Sequence, residues 1–303
     1  MHSELGERSN RSPAYQPGMK SLTLLLCLLP LICVTAPAND TSLHNGRYGP
    51  EPLDAATGAE SPVRMVAEHL EVAFGLRRTY VHCTFTFRNM RKTGTVTQLV
   101  GFPDTGAAED EVRRRRRLAG ESDPEVDRSA PLEHLKTWVN GRPVKAELKY
   151  GHTRTRDAEK NDGTDWMWDP TRETVRAWHT VLVTFPAGED VIVERRYSVE
   201  NGWSVGNILF FGYTTATGGV WKGTIGRLQA DVSLRDGLTV NDLIWPGAKR
   251  FGEVVEVNYR MSPGRSGWQV IDPTHLRMVW NDFEPRTEPN HRGFTMAHGI
   301  RRR

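Results

Sequence analysis

The stretch GWSVG, Gly202 to Gly206, matches the G-x-S-x-G pattern in which a strand feeds a sharp turn into a helix and exposes a serine hydroxyl beside backbone donors. Ser204 is therefore a candidate acyl-transfer nucleophile. Acids such as Asp231, Asp242 and Asp272, followed by His275, supply a Ser, Asp, His chain order, with Asp272 and His275 as the triad candidates. Only half of the required context is present. A strand-like run precedes Ser204, but NILFFGYTTATGG after it is aromatic, rich in hydroxyls and broken by glycine, which makes a poor helix. A serine hydrolase is thus the alternative reading, and a non-catalytic protein the leading one.

Other chemistry-bearing patterns each have a plainer explanation. TATGGVWKGTIG, Thr215 to Gly226, lacks the G-x-x-x-x-G-K-[ST] order of a phosphate cradle, because Lys222 precedes Gly223 and a strand pattern follows. Gly218-Gly219 reads as a hairpin turn, with Gly223 and Gly226 marking bulges or a close backbone approach. In DPTH, Asp272 and His275 could share an ion, but the spacing is that of a turn in which Asp272 accepts from backbone amides. No metal and no cofactor are expected.

DWMWDP puts Trp166 and Trp168 on one side of an extended chain, where two rings could stack on a sugar or a peptide. A carbohydrate-binding module centred on these residues is a further alternative, and a loop plugged from beneath by both rings is the structural one. The acids around them, Asp162, Asp165, Asp169 and Glu173, are glycosidase candidates by composition alone.

The elements that would position these groups are mostly strands. In YVHCTFTF the residues Val81, Cys83, Phe85 and Phe87 share one face, so Cys83 belongs to the core. VRAWHTVLVTF aligns Val175, Ala177, Val181, Val183 and Phe185, while VIVERRYSV aligns Val191, Val193, Tyr197 and Val199. The short PAGED between them predicts an antiparallel hairpin. Asn140-Gly141 predicts a second hairpin with a type I′ turn, and Pro143 makes its second strand an edge. Further strand patterns include MVAEHLEVAF, TVTQLVGF, NILFFGYTT, RLQADVSL, LTVNDLIW, EVVEVNYRM and LRMVW. The fold class is all-β, an antiparallel β-sandwich-like body of one large or two adjacent units. One exception is AAEDEVRRRRRLAG, whose acids stand four residues before arginines and predict a short exposed Arg-rich helix.

At 303 residues with 38% hydrophobic residues and nine tryptophans, the chain can build a sizeable core. Forty basic against thirty-seven acidic residues leave a net charge of +3, which provides no global field for nucleic acid. Met19 and Lys20 precede LTLLLCLLPLICV and the small-residue site Ala36-Pro37-Ala38, the order of a secretory signal peptide with cleavage after Ala38 and a true start at Met19. The apolar run is too short to span a membrane, so no transmembrane segment remains after cleavage. Cys27 and Cys33 follow bulky Leu26 and Ile32, which argues against lipidation. Cys83 is then the single cysteine left and no intrachain disulfide can form.

The organisation expected is an extension plus signal peptide at 1–38, a β region at 39–150 with the arginine-rich insertion near 107–120, a polar linker at 151–173, a second β region at 174–285 and a basic tail at 286–303. Several phrases in order resemble a family of secreted bacterial proteins, domain of unknown function 4424. They are ANDTSL, VRMVAEHLEV with CTFTFRN, VGFPD, VNGRPV, WHTVLVTFPAGEDVIVERRY and TGGVWKGTIGRLQADVSL. The resemblance implies export and a mainly β body and brings no catalytic residues. The expected role is a periplasmic or extracellular binding or envelope-associated module, partnered by an envelope component, a glycan or another exported protein.

Overall fold

The computed structural model describes residues 36–37, 40–46, 49–52, 61–120, 130–154, 173–204, 208–244, 248–251, 254–257, 267–285 and 293–299. Residues Cys33–Arg303 belong to one compact unit. In chain order it begins with β1 (Ala36–Pro37), β2 (Thr41–Gly46), β3 (Gly49–Pro52), β4 (Val63–Phe74), β5 (Arg78–Asn89) and β6 (Thr95–Pro103). Helix α1 (Thr105–Leu118) follows, then β7 (Glu133–Val139), β8 (Arg142–Val144), β9 (Glu147–Arg154), β10 (Glu173–Pro186) and β11 (Asp190–Glu200). The remainder is β12 (Gly202–Ser204), β13 (Ile208–Thr214), β14 (Ile225–Leu234), β15 (Ala248–Phe251), β16 (Val254–Val257), β17 (Gln269–Asp272), β18 (His275–Phe283) and β19 (Gly293–Gly299).

A large sheet runs β17-β18-β14-β4-β5-β11-β7-β8, and a second runs β3-β2-β6-β10-β9. A small sheet is built on β13, which pairs with β12 and β19 antiparallel and with β1 parallel, and β15 pairs with β16. Most ladders are antiparallel, with β4 and β14 parallel in the large sheet. Strands from before and after 155–172 alternate inside both larger sheets, so the two β regions of the sequence share one core. The stretch 286–303, expected as a basic tail, contributes β19, whose Phe294, Met296 and Ala297 are buried.

The core forms because alternate residues of facing strands are apolar. Phe85 and Phe87 of β5 meet Phe102 of β6 and Phe185 of β10, with ring centroids 6.4 and 5.9 Å apart, and Trp221 closes on Phe87 at 4.5 Å. Each fully buried Phe contributes roughly 2–3 kcal/mol by removal of apolar area from water. Cys83 lies in this core and is fully buried.

Two connections differ from the sequence expectation. PAGED does not close a hairpin: β10 pairs with β6 and β9, whereas β11 pairs with β5 and β7. The turn instead carries the chain from one sheet to the other. Asn89 holds it there, its Nδ2 donating to Phe185 O at 2.9 Å and its carbonyl accepting from Gly188 N at 2.9 Å. Period-2 patterning identifies the inward face of each strand and is silent about which layer a strand joins. Gly218-Gly219 likewise lies in a 3-10 turn, Ala216–Val220, and not in a hairpin, and Val240–Asp242 of LTVNDLIW is a 3-10 turn.

Other local signals hold. Asn140 and Gly141 have φ of 48° and 72° between β7 and β8, and β8 with Pro143 is the edge of the large sheet. Gly226 allows close approach, since a Cβ there would lie 2.5 Å from Val66 O. The helix begins at Thr105, two residues before the sequence places it, and most of its first half is buried. Ala107 and Ala108 are buried against Ala177 of β10, and a Cβ at Gly106 would meet Ala130 and Pro131 at 2.2 Å. Glu111 bonds Arg114 and Arg115, and these guanidiniums hold its carboxyl down at about 2, so much of the local positive charge is neutralised.

Candidate ligand-binding cleft

Where the β7–β8 edge of the large sheet meets β9 and β10 of the second, their residues line an open cleft with a volume of about 610 Å³. Its apolar walls include Leu132, Leu135, Val144, Ala146 and Leu148, and Trp138 stands at its border with Arg196 over the ring at 5.0 Å. A cleft of this size lies within the roughly 300–1,000 Å³ common for small-molecule sites. Thr137 and His179 are the polar groups between these walls, and Lys136, Lys145 and His134 border them. No Asp or Glu is among the described residues that line it.

Each central polar group is fixed from behind. His179 shares the inward face of β10 with Ala177 and Val181, and its Nε2 lies 2.9 Å from Asp104 Oδ2. Asp104, 2% exposed, sits between β6 and α1, caps the helix through Ala107 N at 2.9 Å and also accepts from Leu132 N at 3.2 Å. A carboxylate only accepts, so Nε2 carries the ring proton and Nδ1 is the nitrogen left for the cleft. Thr137 Oγ1 accepts from Arg195 Nη1 at 2.7 Å, which directs the hydroxyl proton away from Arg195.

Arg195 belongs to a buried charge cluster behind the cleft floor. Its Nη2 lies 3.1 Å from Asp40 Oδ1, both side chains are fully buried, and the guanidinium also rests over the Phe102 ring at 5.6 Å. The approach is that of an ion pair without an aligned hydrogen bond, because neither Asp40 oxygen has a hydrogen-bond partner among the described residues. Trp221 Nε1 donates to Asp40 O at 2.9 Å and fastens the start of β2. Nearby, Tyr213 donates its hydroxyl proton to Glu68, 1% exposed. Burial pushes Glu68 up to about 8, against the pull of the Tyr213 hydrogen bond and with help from the charge on Asp40. Asp40 rises to about 6, burial outweighing its attraction to Arg195. Burial also pushes the Cys83 thiol and the Tyr197 and Tyr213 hydroxyls upward, so none of them is activated as a nucleophile.

The residues proposed from sequence lie elsewhere. Ser204 ends β12, and the next described residue, Ile208, opens β13, which pairs back onto β12. G-x-S-x-G therefore connects strand to strand, without the helix that a nucleophile elbow requires. Asp272 and His275 form an exposed turn between β17 and β18, with His275 Nδ1 at 2.8 Å from Asp272 Oδ2. Thr274 N and His275 hold the Asp272 carboxyl down at about 2. Trp166 and Trp168, with Asp162, Asp165 and Asp169, fall outside the described residues. Glu173 begins β10. Among the described residues no group of three or more His, Cys, Asp or Glu could hold a metal ion, and no helix is long and apolar enough to cross a membrane.

The sequence reading passed over Asp104, Thr137, His179 and Arg195, although a signal for three of them was present. His179 interrupts the stripe Val175, Ala177, Val181, Val183, and Arg195 interrupts Val191, Val193, Tyr197, Val199. Thr137 stands between Leu135 and Val139 in the same way. A polar residue at an inward position needs a partner, and each has one here.

No protein-family model matches the chain, and no curated protein matches it. Among solved structures, a Legionella pneumophila protein to which nutrient binding is provisionally assigned superposes with a TM-score of 0.52 at 13% identity, over 88% of this chain and 72% of that one. This likeness shows the fold. An M1 zinc metallopeptidase of Deinococcus radiodurans superposes with a TM-score of 0.27 at 7% identity, over 78% of this chain and 42% of that one, which carries no argument.

Proposed function

We propose that this protein is an exported, non-catalytic binding module of the cell envelope that receives a small ligand in the cleft between β7–β8 and β9–β10. The observation that carries the reading is the cleft itself: two polar groups oriented by buried partners, set among apolar walls. Preorganised polar groups in an apolar recess are what a binding site needs, because they fix orientation without reorganising. The fold shared with the Legionella protein is compatible with this role. Export rests on the signal-peptide pattern and on the ordered phrases resembling domain of unknown function 4424. Cleavage after Ala38 would remove the two residues of β1 and leave Asp40 and β2 in place.

The test is a thermal-shift screen of a metabolite library against the wild-type protein and Leu148→Trp. Leu148 is paired opposite His179 and is 42% exposed, so a larger ring there covers the histidine without entering the core. Compounds that raise the Tm of the wild type and not of the variant support the proposal. A screen in which every stabilising compound acts equally on both proteins, or none acts, refutes it.

A further inference from the structure

Resting on that reading of the cleft, the geometry points to a specific ligand class: a small amphiphilic carboxylate, its carboxyl group held by Thr137 and His179 and its apolar body lying along Leu132, Leu135, Val144 and Leu148. The hydrogen-bond capacity of the two polar groups limits what the cleft can hold. Thr137 Oγ1 already accepts from the Arg195 guanidinium at 2.7 Å, so what it offers a ligand is its hydroxyl proton, polarised by the cation behind it. His179 Nε2 is committed to Asp104 at 2.9 Å, so what it offers is Nδ1.

A carboxyl group satisfies both at once. One oxygen accepts from Thr137, and the other is bridged to His179 Nδ1 by one proton, which an ionised carboxylate takes up from solvent on binding. An alcohol can meet both with its single oxygen, donating to Nδ1 and accepting from Thr137, but it brings no charge for the lysines at the rim, and a quaternary ammonium meets neither.

Charge at the rim points the same way. Lys136 and Lys145 border the cleft, and neither has an ion-pair partner among the described residues. The acids nearest in sequence are engaged elsewhere, Glu133 with Arg78 and Glu147 with Lys149 at 3.2 Å. A recess bordered by two lysines and lined by no acid favours an anion. The apolar walls favour a body attached to it: an inorganic anion would leave Leu135, Val144 and Leu148 against water.

The experiment is isothermal titration of the full chain with decanoate, decanol and decyltrimethylammonium, each below its aggregation concentration. Decanoate is expected to bind at least about tenfold more tightly than the other two, the worth of a hydrogen bond to a charged group. Leu148→Trp should abolish its binding. Thr137→Val removes both the hydroxyl proton offered to the ligand and the acceptor of Arg195 Nη1, so its Tm is measured alongside, and in the folded variant decanoate should bind about tenfold more weakly. The exposed double variant Lys136→Gln/Lys145→Gln, which has no core role, should weaken decanoate and flatten its salt dependence. Decanol binding as tightly as decanoate, with both lost in Leu148→Trp, overturns the carboxylate assignment and leaves the cleft as a ligand site. Decanoate binding that Leu148→Trp does not disturb also overturns it. Absence of decanoate binding overturns it as well, and the metabolite screen then decides whether the cleft binds anything.

Discussion

Replacing Glu68 with Gln should make the protein more stable at neutral and alkaline pH, and the size of the gain follows from where the carboxyl group sits. Glu68 is 1% exposed on β4, receives the Tyr213 hydroxyl proton and lies near Asp40. Its proton affinity is raised from an ordinary 4.5 to about 8, chiefly by burial. The folded state therefore holds this proton more tightly than the unfolded chain does. Stability from that proton is complete below pH 4.5, falls as pH rises, and is gone above about 8, where both states are ionised and the folded one carries a buried anion. At about 1.4 kcal/mol for each pH unit between 4.5 and 8, the loss is on the order of 5 kcal/mol. Gln still accepts from Tyr213 and cannot ionise. Urea unfolding of wild type and Glu68→Gln from pH 4 to pH 9 measures the difference, in which groups common to both proteins largely cancel. The two should coincide near pH 4 and diverge with rising pH, the variant becoming more stable by several kcal/mol. A difference independent of pH, or a wild type that gains on the variant as pH rises, refutes the reasoning.

The neighbouring acid should behave oppositely. Asp40→Asn removes the counter-ion of a fully buried guanidinium, so at pH 7 it should destabilise by about 3–5 kcal/mol, and because Asp40 is raised from 3.8 to about 6 the wild type gains on the variant as pH falls from 6 toward 4, so the loss should grow there. Chemical denaturation of Asp40→Asn beside Asp40→Asn/Arg195→Met checks this, the double variant recovering most of the loss. Phe87→Ala opens a cavity among Phe85, Phe185 and Trp221 and should cost about 3–5 kcal/mol, read as a lower denaturant midpoint with an unchanged m-value. A fluorophosphonate probe should leave the protein unlabelled, because Ser204 lies in a strand-to-strand connection. Labelling lost in Ser204→Ala would restore the hydrolase reading.

The alternation Val81, Cys83, Phe85, Phe87 and its counterparts, the Asn140-Gly141 turn and the Arg-rich helix near 107–120 were all visible along the chain. Each depends on contacts within a few residues: side-chain period, positive φ at a tight turn, acids standing one helical turn before arginines. The motif residues that attracted attention were less informative. Ser204, Asp272 and His275 fit patterns short enough to recur by chance, and strand pairing around them gives a connection and a turn.

What the sequence by itself determined is that this is a chain of amphipathic strands with one short Arg-rich helix, because pleat, turn and helix spacing are written in neighbouring residues. Tertiary structure alone decided that β10 and β11 part into opposite sheets, that Asp104 reaches His179 across 75 positions and that Arg195 reaches Thr137 across 58. Those outcomes depend on which layer each strand joins. That choice is made by the packing of Phe85, Phe102 and Phe185 between the sheets, an energy shared among segments far apart in the chain.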